Sequence, residues 1–487
     1  MIAMVGENFD EELLKVGVET ALKAGADEAI AKLIDQKKHQ IRFSNSSIDV
    51  NKEWSSYYLD VLFTKKSRFS LTGKINTLTI QDPDVKKVKK NVPKHVDLLK
   101  HLPKNKLYWG MDDGSYTSYR SLDIYDDKIE DFHEKAPELV KKTIDSSLQN
   151  GADGVSGVLH SENSKIGVLT SYGNGGIYKS SFCRGTVRAF NGRDSSGQDI
   201  VVSRKLSNID KKFERAGRKA GMLAKRGVGA KEGRAGTYDL IMTPTVAANI
   251  FGNLLNGTNP IMMVAGMSPL KGKMNEKIGP DELTVTEDPL IQEGLNSRPF
   301  DDEGTPSERT ELIKNGEFNS LIHNTSTAKL WKFLGIIKLK FFRRPKTTSN
   351  SNLTQLGLTG TEENPRTLMP VPSNYRFNTG SYSLDEFIST SSRPTIYLTS
   401  NWYTRFTNMS EGEFSTVPRD AMFLVENGEI KKPIRNLRLK GNLLEILKNI
   451  DGIGKDPKQI RWWEVNTPTF IPHIKVKDCK FTKAKGQ

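Results

Sequence analysis

Apolar residues between positions 237 and 257 (TYDLIMTPTVAANIFGNLLNG) first fill a short run, Tyr238 to Met242. They then recur at one- and three-residue steps through Val246, Ala247, Ile250, Phe251, Leu254 and Leu255. The first pattern predicts a strand and the second a helix packed into a core. Thr243 is a good N-cap, and Pro244 falls at the first helical position, where its missing N–H costs nothing. Gly257 ends the helix. Its opposite face carries Asn249, Asn253 and Asn256, so the face expected to be exposed offers amides and no His, Glu, Asp, Cys or Lys.

The N-terminal half shows one order of periods twice. Leu13, Leu14, Val18, Ala21 and Leu22 stripe a helix over residues 8–24, closed by Gly25-Ala26-Asp27. Residues 29–35, 39–43, 55–63 and 67–72 then read as strands. A charged helical region follows in which Val85, Val88 and Val92 can pack, with Pro93 and Pro103 breaking it up. A second helix over 131–149 again ends in Gly151-Ala152-Asp153, and strands follow at 154–160, 166–171, 177–190 and 200–203. The offset between the two Gly-Ala-Asp sites, Gly25 to Gly151, is 126 residues. Repetition on this scale points to a duplicated unit of mostly antiparallel strands.

Leu206, Ile209, Phe213, Ala216, Ala220 and Leu223 mark a helix over 206–226, with Ser207 and Asp210 as its capping pair. The rest of its surface is largely Lys and Arg, read as a solvated face. Residues 227–236 (GVGAKEGRAG) read as a flexible linker and place a domain boundary. Beyond residue 257 the chain is β-rich. Asn315-Gly316 and Asn427-Gly428 mark two hairpins, because both residues tolerate the positive φ of a tight primed turn. Ser383 with Glu386 caps a short helix, and 395–400 is a strand. The polar stretch 343–380 has the length of a functional loop. The run leading into it, WKFLGIIKLKFFRRPK, reads as a buried strand beside solvated lysines, with contact to a partner or membrane surface as the alternative. The expected fold is two-lobed α+β with largely antiparallel sheets and packed helices. It divides into α+β subdomains at 1–105 and 106–230, the second repeating the first, and a β-rich domain at 237–487.

A chain of 487 residues is too long for one compact core, in keeping with that division. No apolar run is long enough to span a bilayer, and the opening MIAMVGENFDEELL lacks a basic-then-apolar export pattern. A cytoplasmic protein with no membrane partner is expected. Cys183 and Cys479 lie in no metal-like spacing and read as buried free thiols. The net charge of +14 is spread along the chain, with denser patches at 86–90 and 204–234. It reads as solubility, with a nucleic-acid surface as the alternative.

Motifs for catalysis are sparse. None of the seven histidines pairs at zinc spacing: His133-Glu134 continues with Lys135, Ala136 and Pro137, and His160-x-Glu162 is followed by no PCxxC. GxSxG and GxxxxGK[ST] are missing. The densest acidic cluster, Asp301-Asp302-Glu303-Gly304, could bind a cation or a peptide N-terminus. The commoner role of such a turn is to cap neighbouring backbone N–H groups.

RPFDDEGTPSERTELIKNGEFNSLIHNTSTAKLW resembles the hallmark segment of the TldD/PmbA family of metallopeptidase-related proteins. The resemblance extends through GADEAIAKL…IRFSNSSI, PVPSNYRFNTGSYSLDEFI, FLVENGEIKKPIRNLRLKGNLLEILKNIDGIGKD and PTFIPHIKV, nearly the whole chain in order. The family's catalytic branch carries HExxxH on the helix of the opening stretch, completed by a cysteine near the C-terminus. Zinc there lowers the pKa of a bound water while the Glu acts as base. Here the aligned residues are Gly252-Asn253-Leu254-Leu255-Asn256-Gly257, a degenerate motif, and Cys479 lies in the following strand and does not match. The resemblance therefore implies the TldE/PmbA branch: a non-catalytic subunit with no catalytic, cofactor or metal residues of its own. It would pair with a zinc-bearing TldD-type subunit around a cleft for unfolded or extended peptides. Asp301, Asp302, Glu303, Gly304 and Asn374 are its candidate cleft residues. A DNA- or gyrase-interacting regulatory protein and a stand-alone peptide-binding homodimer are the alternatives.

Overall fold

Ala29, Ala31, Leu33, Ile41 and Phe43, on one face of the strand Glu28–Ser44 (β1), are buried against helices. Ile30, on the opposite face, packs with Phe300, Leu353 and Leu368 of the C-terminal half. That period of two places a sheet between a helical layer and a second domain. The computed structural model describes residues 11–67, 70–337, 346–354 and 366–484. The polar stretch 343–380 and the run 331–346 therefore lie partly outside the described residues.

The sheet has six strands in the order β3-β2-β1-β4-β5-β6, all antiparallel. The other five are β2 (Ser47–Ser67), β3 (Ser70–Gln81), β4 (Gly154–Thr170), β5 (Gly175–Asn191) and β6 (Ser195–Ser203). Helices α1 (Glu11–Lys23) and α2 (Val85–Leu98) cover one half of a face, and α3 (Phe132–Gln149) and α4 (Ile209–Arg226) cover the other half of the same face. β1 and β4 differ by 126 residues at both ends, Glu28 to Gly154 and Ser44 to Thr170. They pair with each other so that Lys37 faces Asn163, its own counterpart at that offset. The two units are thus related by a pseudo-twofold through that pair. They share one sheet, across the boundary at which the sequence divides 1–105 from 106–230.

Several local expectations differ from the structure. The strands expected at 29–35 and 39–43 are one strand, because its polar middle (Gln36, Lys37, Lys38) stays paired to neighbours on both sides. α2 continues through Pro93, since Val88, Val92 and Val96 bury a continuous stripe. α4 starts at Ile209 behind Asn208, which adopts a left-handed conformation (φ 60°) and makes no side-chain cap; Ser207 and Asp210 are not its capping pair. In the stretch read as a flexible linker, Lys231–Glu232 (β7) pairs in parallel with the strand Glu429–Arg435. The apolar-basic run begins as a helix, Thr325–Ile337, rather than a strand. Asn324 holds its start by accepting from Thr327 N at 2.9 Å.

In the C-terminal half, Gly236–Met242 (β8) pairs with Thr395–Asn408 in parallel and with Ile474–Lys483 antiparallel. Leu437–Asn442 and Glu413–Glu426 continue the sheet, and pairing of Glu413–Glu426 with Thr395–Asn408 closes the five strands into a ring. Both Asn-Gly hairpins form, with φ of 49° and 76° at Asn315 and Gly316 and of 52° and 75° at Asn427 and Gly428. The capping box of Ser383 and Glu386 is also made. The helix of the opening stretch, α5 (Pro244–Leu255), lies against Val465–Ile471, Thr395–Asn408, Lys458–Trp462 and the helix Leu443–Lys448. Its residues Val246, Ile250, Phe251 and Leu254 sit in the largest core cluster. Both cysteines are free and buried, and burial pushes the Cys479 thiol up to about 12. No described helix is long and apolar enough to cross a membrane.

Candidate functional site

Thr243 fixes where α5 begins: its Oγ1 donates to Thr399 O at 2.9 Å and accepts from Val246 N. From that start, steps of three and four bring Asn249, Gly252, Asn253 and Asn256 to one face. The face lines a cavity of about 60 Å³, closed opposite by Glu464, Val465, Asn466 and Thr467. Asn249 is 1% exposed, so the amide face is not the open surface that the pattern suggests.

The polar groups there are already paired with one another. Asn253 Nδ2 donates to Asn249 O (2.8 Å) and Asn249 Oδ1 (3.2 Å), and Asn249 Nδ2 donates to Glu464 Oε2 (3.3 Å). Glu464 also accepts from Tyr403 N (3.0 Å) and Thr404 N (3.3 Å) and stands 3.5 Å from the Arg405 guanidinium. Tyr403 is held at φ 55°, a costly conformation for a side chain of its size, and the strand pairing slips between Trp402 and Arg405. A zinc centre needs several free N, S or O donors in a tetrahedral set. Here one carboxylate has both oxygens engaged, Asn249 and Asn253 are bonded in series, and the remaining polar side chains are neutral amides and a threonine, poor zinc ligands. Among the described residues no group of three or more His, Cys, Asp or Glu is placed to hold a metal. These residues do not fit zinc.

Of the degenerate-motif positions, Gly252 and Asn253 line the cavity. Gly257 is buried beneath it, where an added Cβ would lie 2.8 Å from Ser268 Oγ. Glu464, the group that organises the site, was not singled out by the sequence. Its link to Asn249 spans 215 residues and leaves no periodic signal.

The candidate cleft residues are turned inward, and Asp302 and the Gly304 carbonyl reach across to the other domain, to Lys32 and Tyr119. Asp301 Oδ1 accepts from Glu303 N (2.9 Å) and Thr305 N (3.1 Å), and its Oδ2 from Ser351 N (2.9 Å). This is the backbone-capping role of an acidic turn. Asp302 Oδ2 accepts from Lys32 Nζ at 2.7 Å, across the domain boundary, and from Leu353 N. Glu303 Oε2 accepts from Thr325 N, the first N–H of the helix Thr325–Ile337. Asn374, fully buried, donates to Asp288 O and Ser297 Oγ. Asp302 borders a cavity of about 270 Å³, shared with Lys32, Asn352 and Ser373.

Burial raises the carboxyl pKa values in this region. Asp301 is pushed up by burial although Arg298 opposes the shift, and Glu303 by burial and then by the charge of Asp301. Glu287, whose Oε1 accepts from Ser373 N, is pushed up to about 7, chiefly by burial. Gly304 closes the turn at φ 72°, and a Cβ there would lie 2.7 Å from Asn174 Cβ. Gly304→Ala is expected to cost about 1–3 kcal/mol, through backbone strain and overpacking together. A urea midpoint unchanged from wild type would contradict this.

A ring of strands built around an inward helix, docked on a duplicated helix-backed sheet, defines an α+β protein of two unlike parts. The same arrangement is found in TldE from Thermococcus kodakarensis, with a TM-score of 0.79 at 18% identity over 96% of this chain and 100% of that one. The family model described as the PmbA/TldA metallopeptidase C-terminal domain matches residues 235–483, and the chain belongs to the PmbA/TldD family. A metalloprotease of Methanothermobacter thermautotrophicus is 29% identical over 245 residues, 50% of this chain and 48% of that protein. Metalloprotease PmbA of Escherichia coli O157:H7 is 25% identical over 217 residues, 45% and 41% of the two chains. The chain spans about half the length of the curated relatives it matches.

Proposed function

We propose that this chain is a TldE/PmbA-like, non-catalytic subunit of a heterodimeric zinc metallopeptidase that processes unfolded or extended peptides. In this reading zinc belongs to a TldD-type partner, and this chain shapes the cleft in which the peptide lies. The observation that carries the reading is the closed series Asn253, Asn249, Glu464 and Arg405: its two amides stand on the helix where the family's catalytic branch would place metal ligands, and Glu464 and Arg405 fold onto them. A peptidase centre must generate a nucleophile at neutral pH by lowering the pKa of a bound water. Engaged amides cannot do this.

The test is reconstitution. The isolated chain, incubated with zinc and desalted, is expected to retain no stoichiometric metal and to leave unfolded peptides intact. Hydrolysis is expected on mixing with a TldD-type subunit that carries HExxxH, together with a shift to the mass of a one-to-one complex. Hydrolysis by this chain alone, or a self-dimer that never exchanges with such a partner, would replace the reading.

A further inference from the structure

A cavity of about 600 Å³ opens between the second-domain face of β4, β5 and β6 and the turn at Trp462-Trp463, sharing Asn466 with the α5 cavity. Its charge is unbalanced. Arg184 makes no hydrogen bond or ion pair among the described residues, and its Nε is fully buried. Arg461 stands near enough for the two charges to repel. Its guanidinium is pushed down to about 10, by burial first and by Arg184 next. Arg188 is already paired with Asp420 at 2.7 Å. The nearby carboxylate, Glu162, is engaged by Gln36 at 2.6 Å and Ser164 at 3.2 Å, with Lys38 at 3.9 Å.

Unsatisfied hydrogen-bonding groups collect at the same place. The indole N–H groups of Trp402 and Trp462 and the side-chain amide of Gln198 are buried without partners among the described residues, and all three side chains line the cavity. Buried polar groups are seldom left unpaired, so a cluster of them marks a place where a further molecule completes the set. Most of these groups donate, and they surround two arginines: Arg461 donates to Val465 O (3.0 Å) and Asn466 Oδ1 (3.5 Å), while Arg184 has only the electrostatic pull of Glu162, which acts on both. An acceptor-only anion of planar, bidentate shape is the complement that arginine forks select. The remaining wall is aromatic. Trp402, Trp462 and Trp463 meet edge-on with centroids 5.4–6.0 Å apart, and Trp463 is 49% exposed at the mouth.

We propose that this cavity binds a peptide carboxylate, held by Arg184 and Arg461, with the neighbouring apolar or aromatic side chain against the tryptophan wall. The carboxylate is either the C-terminal group of a peptide or an acidic side chain within one. The proposal deepens the peptide-handling reading above, but its test needs only the isolated full-length chain. Its failure therefore leaves the reconstitution result untouched.

The test follows tryptophan fluorescence and titration calorimetry with three probes: acetyl-Ala-Ala-Ala-Phe as the free acid, the same peptide as its amide, and acetyl-Ala-Glu-Phe-Ala-amide. The free acid is expected to bind at least about tenfold more tightly than its amide, the worth of a charge-assisted pair. Comparable binding by the internal-Glu peptide assigns the site to acidic side chains as well; its failure assigns the site to chain ends. Arg184→Gln and Arg461→Gln are each expected to erase the preference for the acid over the amide. Because Arg184→Gln relieves repulsion with Arg461 and breaks no hydrogen bond among the described residues, it is not expected to lower the urea midpoint, which separates lost recognition from lost folding; Arg461→Gln also loses the bond to Val465 O and serves as the second variant. Equal binding of acid and amide, or a preference that survives both substitutions, overturns the proposal. So does displacement of the acid by an oligothymidylate with a steep salt dependence, which would assign the surface to nucleic acid.

Discussion

Asp302→Ala is expected to lower the stability of the folded chain by about 3–5 kcal/mol, because it strands a buried ammonium. Lys32 lies on β1 and Asp302 in the second domain, with side chains 11% and 6% exposed at a separation of 2.7 Å. Burial works against the charge of Lys32, yet Asp302 more than offsets it and holds the lysine above its ordinary pKa. Removing the carboxylate also leaves Leu353 N–H without its acceptor. Lys32→Ala should be milder, since Asp302 keeps that N–H. The double variant should be less destabilised than the sum of the two, because the second change removes the stranded charge. Urea unfolding of all four proteins at pH 7 gives the coupling directly. Additive losses would mean that the pair does not tie the domains.

A fall in stability as pH rises from the ordinary carboxylate range to about 7 is the second large effect, and Glu287 is its clearest source. Its folded pKa is raised, so the native state holds a proton that the unfolded chain has already released. Its contribution is fully present below the unfolded value of 4.5 and is lost as pH climbs through about 7. The shift corresponds to a change on the order of 3 kcal/mol. Asp301 and Glu303 move in the same direction. Asp199 runs the other way: burial opposes its charge, but Lys219 and Lys458 hold its pKa low, so its stabilisation is lost only in stronger acid. Glu287→Gln keeps an acceptor for Ser373 N and removes the titration. Its stability should match wild type near pH 5 and exceed it at pH 8. Parallel profiles for the two proteins would show that Glu287 is not the source.

What could be read from the residues was what local rules encode. The start of α5, both Asn-Gly turns, the Ser383 capping box and the 126-residue offset each depend on neighbours within a few positions or on recurrence. The turn between β1 and β2 was not legible. It uses Asn45 and Ser46 at φ 47° and 61°, and serine carries no signal for that conformation. Helix and strand were confused over 331–337, the described part of the apolar-basic run, because a short apolar run has no decisive period. The chemistry of Asp301–Gly304 was visible as an acidic turn. Its burial was not, because the partner of Asp302 lies 270 residues away in sequence. Glu464 escaped notice for the same reason: a lone carboxylate after two tryptophans acquires meaning only when Asn249 and Arg405 fold onto it.

The pseudo-twofold of the N-terminal sheet carries a division of labour. At the offset of 126, Tyr58, Asp60 and Leu62 on β2 answer to Arg184, Thr186 and Arg188 on β5. On the first copy a cation arrives from the other domain: Arg366 pairs with Asp60 and rests 4.8 Å over the Tyr58 ring, sealing that flank. On the second copy Arg184 and Arg188 belong to the strand itself, Arg188 pairs across the domain boundary with Asp420, and beside them Arg461 of the other domain lines an open cavity. The same position in the two repeats thus closes over a buried aspartate on one side and borders an open cavity on the other.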